Sequence, residues 1–111
     1  MLMFLLATLL KFSLTVRPYG HLSPRQANIT VTVTVPPDSR NRMLAVEVIS
    51  ETYDTVSERG LDGDRAPVKQ TFQFRDLPPG EYHVVATLEF LDNGKYKYQR
   101  NMFTGVLEVH D

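Results

Sequence analysis

Three histidines, His21, His83 and His110, are the side chains of this chain best suited to metal or acid–base chemistry. Their spacing assembles none. His21 lies in a stretch broken by proline and glycine, and His110 sits beside the last residue of the sequence. His83 alternates with Tyr82 and so faces solvent if Tyr82 faces a core. No His-Glu-x-x-His pair, Gly-x-Ser-x-Gly elbow or phosphate-cradling glycine loop is present. Glu58, Asp62 and Asp64 crowd one glycine-containing loop. Calcium takes roughly six to eight oxygen ligands, and this loop offers three carboxylates without the rest of a calcium-loop pattern. A solvated turn is the expectation there, with a cation site as the weaker alternative. No catalytic residue, resident metal or cofactor is expected, and the chain reads as non-enzymatic.

The remaining chemistry is recognition. In Lys95-Tyr-Lys-Tyr-Gln-Arg100 strict alternation puts Tyr96, Tyr98 and Arg100 on one face and Lys95, Lys97 and Gln99 on the other. Aromatic rings beside a guanidinium can stack on sugar or anchor a peptide or protein. The plainer alternative has the tyrosines finishing a core while the lysines discourage edge-to-edge aggregation. Asn28-Ile-Thr30 formally fits a glycosylation acceptor but opens a hydrophobic run.

Composition bounds what can position these groups. The 111 residues suit one domain, and a net charge of −1 gives no field favouring nucleic acid. The absence of cysteine excludes disulfides, thiol catalysis and thiolate metal sites, and the absence of tryptophan excludes the Cys–Trp–Cys core of antibody-type domains. Met1 to Val16 forms a strongly apolar start interrupted by Lys11. Its length matches the apolar region of an export signal and falls short of a bilayer span. It lacks a cationic start and a good cleavage site. Residues 1–16 are therefore expected to be a signal peptide or membrane anchor, the alternative being a strand or buried helix of the domain itself. Residues 17–27, with two prolines and a glycine, read as a linker.

From Asn28 onward the period is two. Ile29, Val31 and Val33 alternate with threonines until Pro36-Pro37 stops the strand. Leu44, Val46 and Val48 share one face of a second strand, and Tyr53 to Ser57 suits a short edge strand. Phe72 and Phe74 end another, and Val84, Ala86 and Leu88 line the longest. Asn93-Gly94 predicts a type I′ hairpin turn into a return strand over 95–109, bent near Asn101 or Gly105. The expected core is Ile29, Val31, Val33, Leu44, Val46, Phe72, Phe74, Val84, Ala86 and Leu88. The expected architecture is all-β, an antiparallel sandwich of about six to seven strands over 28–111.

Phe74-Arg-Asp-Leu-Pro-Pro-Gly-Glu-Tyr82 joins two of these strands through a tight corner. Leu77, Gly80 and Tyr82 are its expected structural residues, with the tyrosine hydroxyl returning to the corner backbone and Gly80 relieving a conformation hostile to side chains. This run resembles the corner of fibronectin type III and carboxypeptidase regulatory-like (transthyretin-like) domains, both immunoglobulin-like sandwiches. The resemblance implies a non-catalytic module of the cell surface or periplasm, with a structural or interaction role. Its partner would be a protein, or a second copy through a sheet edge, with carbohydrate as the alternative ligand and membrane anchoring through Met1 to Val16. An accessory domain for an enzyme on another chain is the further alternative. No strong strand precedes Asn28 unless Phe12 to Val16 serves, so one edge is expected to be short or completed by a partner.

Overall fold

A computed structural model describes residues 11–111. Ten strands follow in order: β1 (Ser13–Arg17), β2 (Gly20–Leu22), β3 (Ile29–Thr34), β4 (Asn41–Ile49), β5 (Asp54–Gly60), β6 (Lys69–Phe74), β7 (Gly80–Glu81), β8 (His83–Asp92), β9 (Lys95–Met102) and β10 (Leu107–Val109). Two 3-10 turns, Pro24–Gln26 and Gly63–Arg65, interrupt the connections, and no α-helix occurs among the described residues.

Two antiparallel sheets carry the core. One runs β1-β3-β6 and the other β5-β4-β8-β9. Alternation decides which side chains meet between them. Val31, Val33, Leu44, Val46, Val48, Phe72, Val84 and Ala86 are essentially inaccessible and join one apolar cluster. Each such side chain contributes about 1.5–3 kcal/mol by leaving water. Every residue of the core read from the sequence is buried. The one buried polar side chain among the described residues, Asn41, is satisfied: its Nδ2 donates to the Pro36 carbonyl at 3.0 Å. The hairpin between β8 and β9 turns at Asn93 and Gly94, both with positive φ (51° and 76°), as a type I′ turn requires.

A third sheet, β2-β10-β7, mixes directions: β10 runs parallel to β2 and antiparallel to β7. Its existence changes the reading of three segments. The return strand does not continue over 95–109. It ends at Met102, and β10 pairs elsewhere. The break falls where Asn101 Nδ2 donates to the Phe12 carbonyl at 2.7 Å and where a side chain at Gly105 would collide with the Phe103 ring. The stretch 17–27, expected as linker, supplies β2 and a 3-10 turn. The segment Phe12 to Val16 is part of the domain: β1 is the edge strand beside β3, with Val16 and Phe12 buried. Residues 1–10 of the apolar start lie outside the described residues.

The corner also differs in its mechanics. The positive φ belongs to Asp76 (55°), a non-glycine residue whose amide donates to Asn28 Oδ1 at 2.8 Å. Gly80 is instead a point of close approach, since a Cβ there would sit 3.3 Å from Ser50 Cβ and Oγ. Tyr82 is buried, its ring meets Tyr53 edge-on, and its hydroxyl donates to the Pro78 carbonyl. Burial raises the phenol above its usual range.

Candidate metal centre

The small mixed sheet builds a site from residues that the sequence holds far apart. The parallel register pairs Leu107 with Gly20, Glu108 with His21 and Val109 with Leu22. Leu107, Val109 and Leu22 point into the core and are buried. The side chains between them therefore share the outer face: His21 on β2, Glu108 on β10 and His110 just beyond it. The His110 amide donates to the Leu22 carbonyl at 3.0 Å, which extends the parallel ladder one residue past β10 and keeps His110 on the Glu108 face. At the other end, Gly20 starts β2 with φ +97° while its amide donates to the Val106 carbonyl at 2.6 Å.

One carboxylate oxygen gathers the two rings. Glu108 Oε2 lies 2.8 Å from His21 Nδ1 and 3.4 Å from His110 Nε2. The imidazoles meet edge-on, with ring centroids 5.7 Å apart. One ligand atom from each of the three side chains lies within 4.8 Å of the other two, and no other such group of three forms among the described residues. The histidine side chains are open to solvent, 68% and 57% exposed, while Glu108 is 24% exposed.

The donor set fits a transition-metal ion. Metal–nitrogen and metal–oxygen bonds of about 2.0–2.2 Å at tetrahedral or octahedral angles place neighbouring donors roughly 3 to 3.5 Å apart. The longer Glu108–His separation falls within that range and the shorter lies just below it. Two neutral imidazoles and one carboxylate, with further positions open, are the ligands of non-haem ferrous centres. The chain has no cysteine, so thiolate plays no part. Glu108 Oε2 thus stands beside a ring nitrogen of each histidine.

The residues singled out from the sequence lie elsewhere. Tyr96, Tyr98 and Arg100 stand on the outer face of β9, with Tyr96 and Tyr98 60% and 62% exposed. Lys97 reaches back to Asp92 at 2.8 Å. His83 opens β8 facing solvent. Glu58 lies on edge strand β5, while Asp62 and Asp64 flank Gly63 in the following turn, and the three do not converge. Leu77 is buried with Tyr82 at the corner. Two signals for this cluster were present. Glu108-x-His110 on a strand puts both side chains on one face, and His21 follows a glycine suited to an abrupt strand start.

No family model and no curated protein matches the chain. Solved structures do. The superoxide reductase (neelaredoxin) from Ignicoccus hospitalis matches over 88% of this chain and 80% of its own, with TM-score 0.59 and 12% sequence identity. Two single-substitution variants of that protein match over 95% of this chain and 86% of theirs, with TM-score 0.55 and 11% and 12% identity. The fold is thus like that of neelaredoxin.

This corrects the resemblance drawn from the corner. The Leu77–Tyr82 turn is a device that a different all-β sandwich also uses, and the fibronectin type III and carboxypeptidase regulatory-like assignment falls. The expectation of a non-catalytic module falls with it, since its structural counterparts are proteins named as enzymes. So does the exported, extracytoplasmic location. Its warrants were the extracellular family and the apolar start, and the first is replaced while Phe12 to Val16 of the second builds the sandwich. Among the described residues, no helix is long and apolar enough to cross a membrane.

Proposed function

We propose that this chain is a metal-dependent oxidoreductase acting on superoxide, with His21, Glu108 and His110 as protein ligands of its metal. The observation that carries the reading is the convergence of these three donor atoms within 4.8 Å on a neelaredoxin-like sandwich. An iron ion held there would supply one electron, passing from ferrous to ferric, so that superoxide and two protons give hydrogen peroxide. The chain's own contribution is positional. Buried Leu107 and Val109 lock β10 in place, Glu108 aims both imidazoles at one point, and their exposure admits a small anion from solvent without a moving lid.

Anaerobic addition of ferrous ion to the wild type, His21→Ala and His110→Ala tests this. The wild type is expected to retain one ion per chain through gel filtration, and both variants to lose it. The loaded wild type should consume superoxide and form peroxide without releasing dioxygen, which separates reduction from disproportionation. A wild type that retains no iron, or retention indifferent to both substitutions, overturns the reading.

A further inference from the structure

The register of the mixed sheet places a second carboxylate beside the centre. Glu108 pairs with His21 across one edge of β10 and with Glu81 of β7 across the other. Directly opposed residues on adjacent strands project from the same face, so His21, Glu108 and Glu81 form one row, with His110 flanking it. Glu81 is exposed, and no ion pair or side-chain hydrogen bond engages it among the described residues. Like charges directly opposite on a sheet are destabilising. Both histidine rings address Glu108. The Glu81 carboxylate lies outside the group that His21, Glu108 and His110 form, and a bound cation would draw it in and relieve the repulsion.

We infer that Glu81 is the fourth protein ligand of the centre. It would complete a two-nitrogen, two-oxygen set and suit the site to a divalent ion. This rests on the metal-site reading of His21, Glu108 and His110. The inference follows from strand pairing: Glu81 sits one strand spacing, about 4.8 Å, from Glu108, and a glutamate side chain with free rotamers reaches across that gap. The corner that ends at Gly80 fixes β7 against β10, because the Tyr82 amide donates to the Leu107 carbonyl at 2.8 Å just past Glu81.

The test uses cobalt(II) as the probe, because its visible absorption reports ligand number and type. Wild type, Glu81→Gln and His110→Ala are titrated, with a chelator competing for the ion. The wild type is expected to bind one cobalt ion per chain, and His110→Ala to bind little. Glu81→Gln should weaken binding by about tenfold or more and change the visible band. Without metal, Glu81→Gln should melt at or above the wild-type temperature, since it removes a repulsion, and metal should raise its Tm less than it raises the wild type's. Wild-type affinity and spectrum in Glu81→Gln would overturn the role of Glu81 while leaving the three-ligand site standing. Weaker binding with an unchanged band would overturn it too, because Glu81 would then act only as a nearby charge. A wild type that binds no cobalt would sink the site itself and Glu81 with it.

Discussion

Gly20 offers the cleanest mechanical test of the centre. It starts β2 one residue before His21 with φ +97°, a backbone region that residues with a Cβ resist by about 1–2 kcal/mol. Nothing lies within 4 Å of a Cβ built there, so Gly20→Ala adds no collision and isolates the backbone term. That term has two outlets. If β2 stays paired, the strain remains in the folded state, and stability falls by about 1–2 kcal/mol, roughly 4 to 10 °C in Tm. If β2 lets go of β10 instead, global stability is spared, but His21 leaves Glu108 and metal binding must pull the strand back. The same free energy then appears as an about five- to thirtyfold loss of metal affinity, at 1.4 kcal/mol per decade. The sum across the two readouts is the predicted quantity. Thermal denaturation of the metal-free protein and metal titration of the same preparation measure them. Gly60→Ala is the control: Gly60 has no positive φ and nothing within 4 Å of its built Cβ, so its effect should lie within about 0.5 kcal/mol. A Gly20→Ala protein that matches the wild type in both Tm and affinity refutes the reasoning.

Two further outcomes follow from the packing and charge. Val31→Asp and Leu88→Asp each bury an unpaired carboxylate in the shared core of the two large sheets. Neither should yield folded protein, and a soluble variant with wild-type Tm would refute the face assignment. On the outer face of β4 and β5, a hydrogen bond to Asp54, then burial, then the Asp54 charge raise Glu47 above its ordinary value of 4.5, against an opposing pull from Arg100. The folded state thus holds this proton more tightly than the unfolded chain, so its contribution is favourable in acid and is lost as pH rises through the raised value. Glu47→Gln should be more stable than the wild type at neutral pH, with the advantage shrinking below 4.5. Denaturant melts at the two pH values that show a constant difference would count against it.

The large sheets were legible because their information is local. Alternation within Ile29–Thr34 or His83–Asp92 states which side chains go inward without reference to any other segment, and the Asn93-Gly94 turn declares its own hairpin. The small sheet was not, because nothing within Gly20-His-Leu22 or Leu107-Glu-Val109 specifies a partner. Three residues are too short to show a period, and the pairing that joins them is parallel, which no hairpin can encode. The apolar start misled for a related reason. Leu14 and Val16 alternate with Ser13 and Thr15 as any edge strand would, but the preceding apolar residues drown that signal in a run that also fits a leader. Gly80 shows the limit from the other side: its conservation of space against Ser50 depends on a contact from another strand, and no local conformation announces it.

The same distinction explains where the histidine–carboxylate cluster sits. The two large sheets close face to face, and their cross-strand pairs commit nearly every inward position to hydrocarbon. Reactive polar groups have no place there unless each is paired, because an unpaired one costs more than a core of this size can absorb. The mixed sheet escapes that constraint. Its inward residues Leu107, Val109 and Leu22 anchor it to the core, which leaves its outer face rigidly placed but solvated. Histidines and carboxylates can gather there without desolvation, at positions set by buried neighbours one residue away. A site on this face therefore depends on register more than on burial. Substitutions at Leu107 or Val109, which never touch the ligands, should move His21 and Glu108 apart and lower metal affinity along with stability. By contrast, substitutions at the exposed Tyr96 and Tyr98 should alter neither.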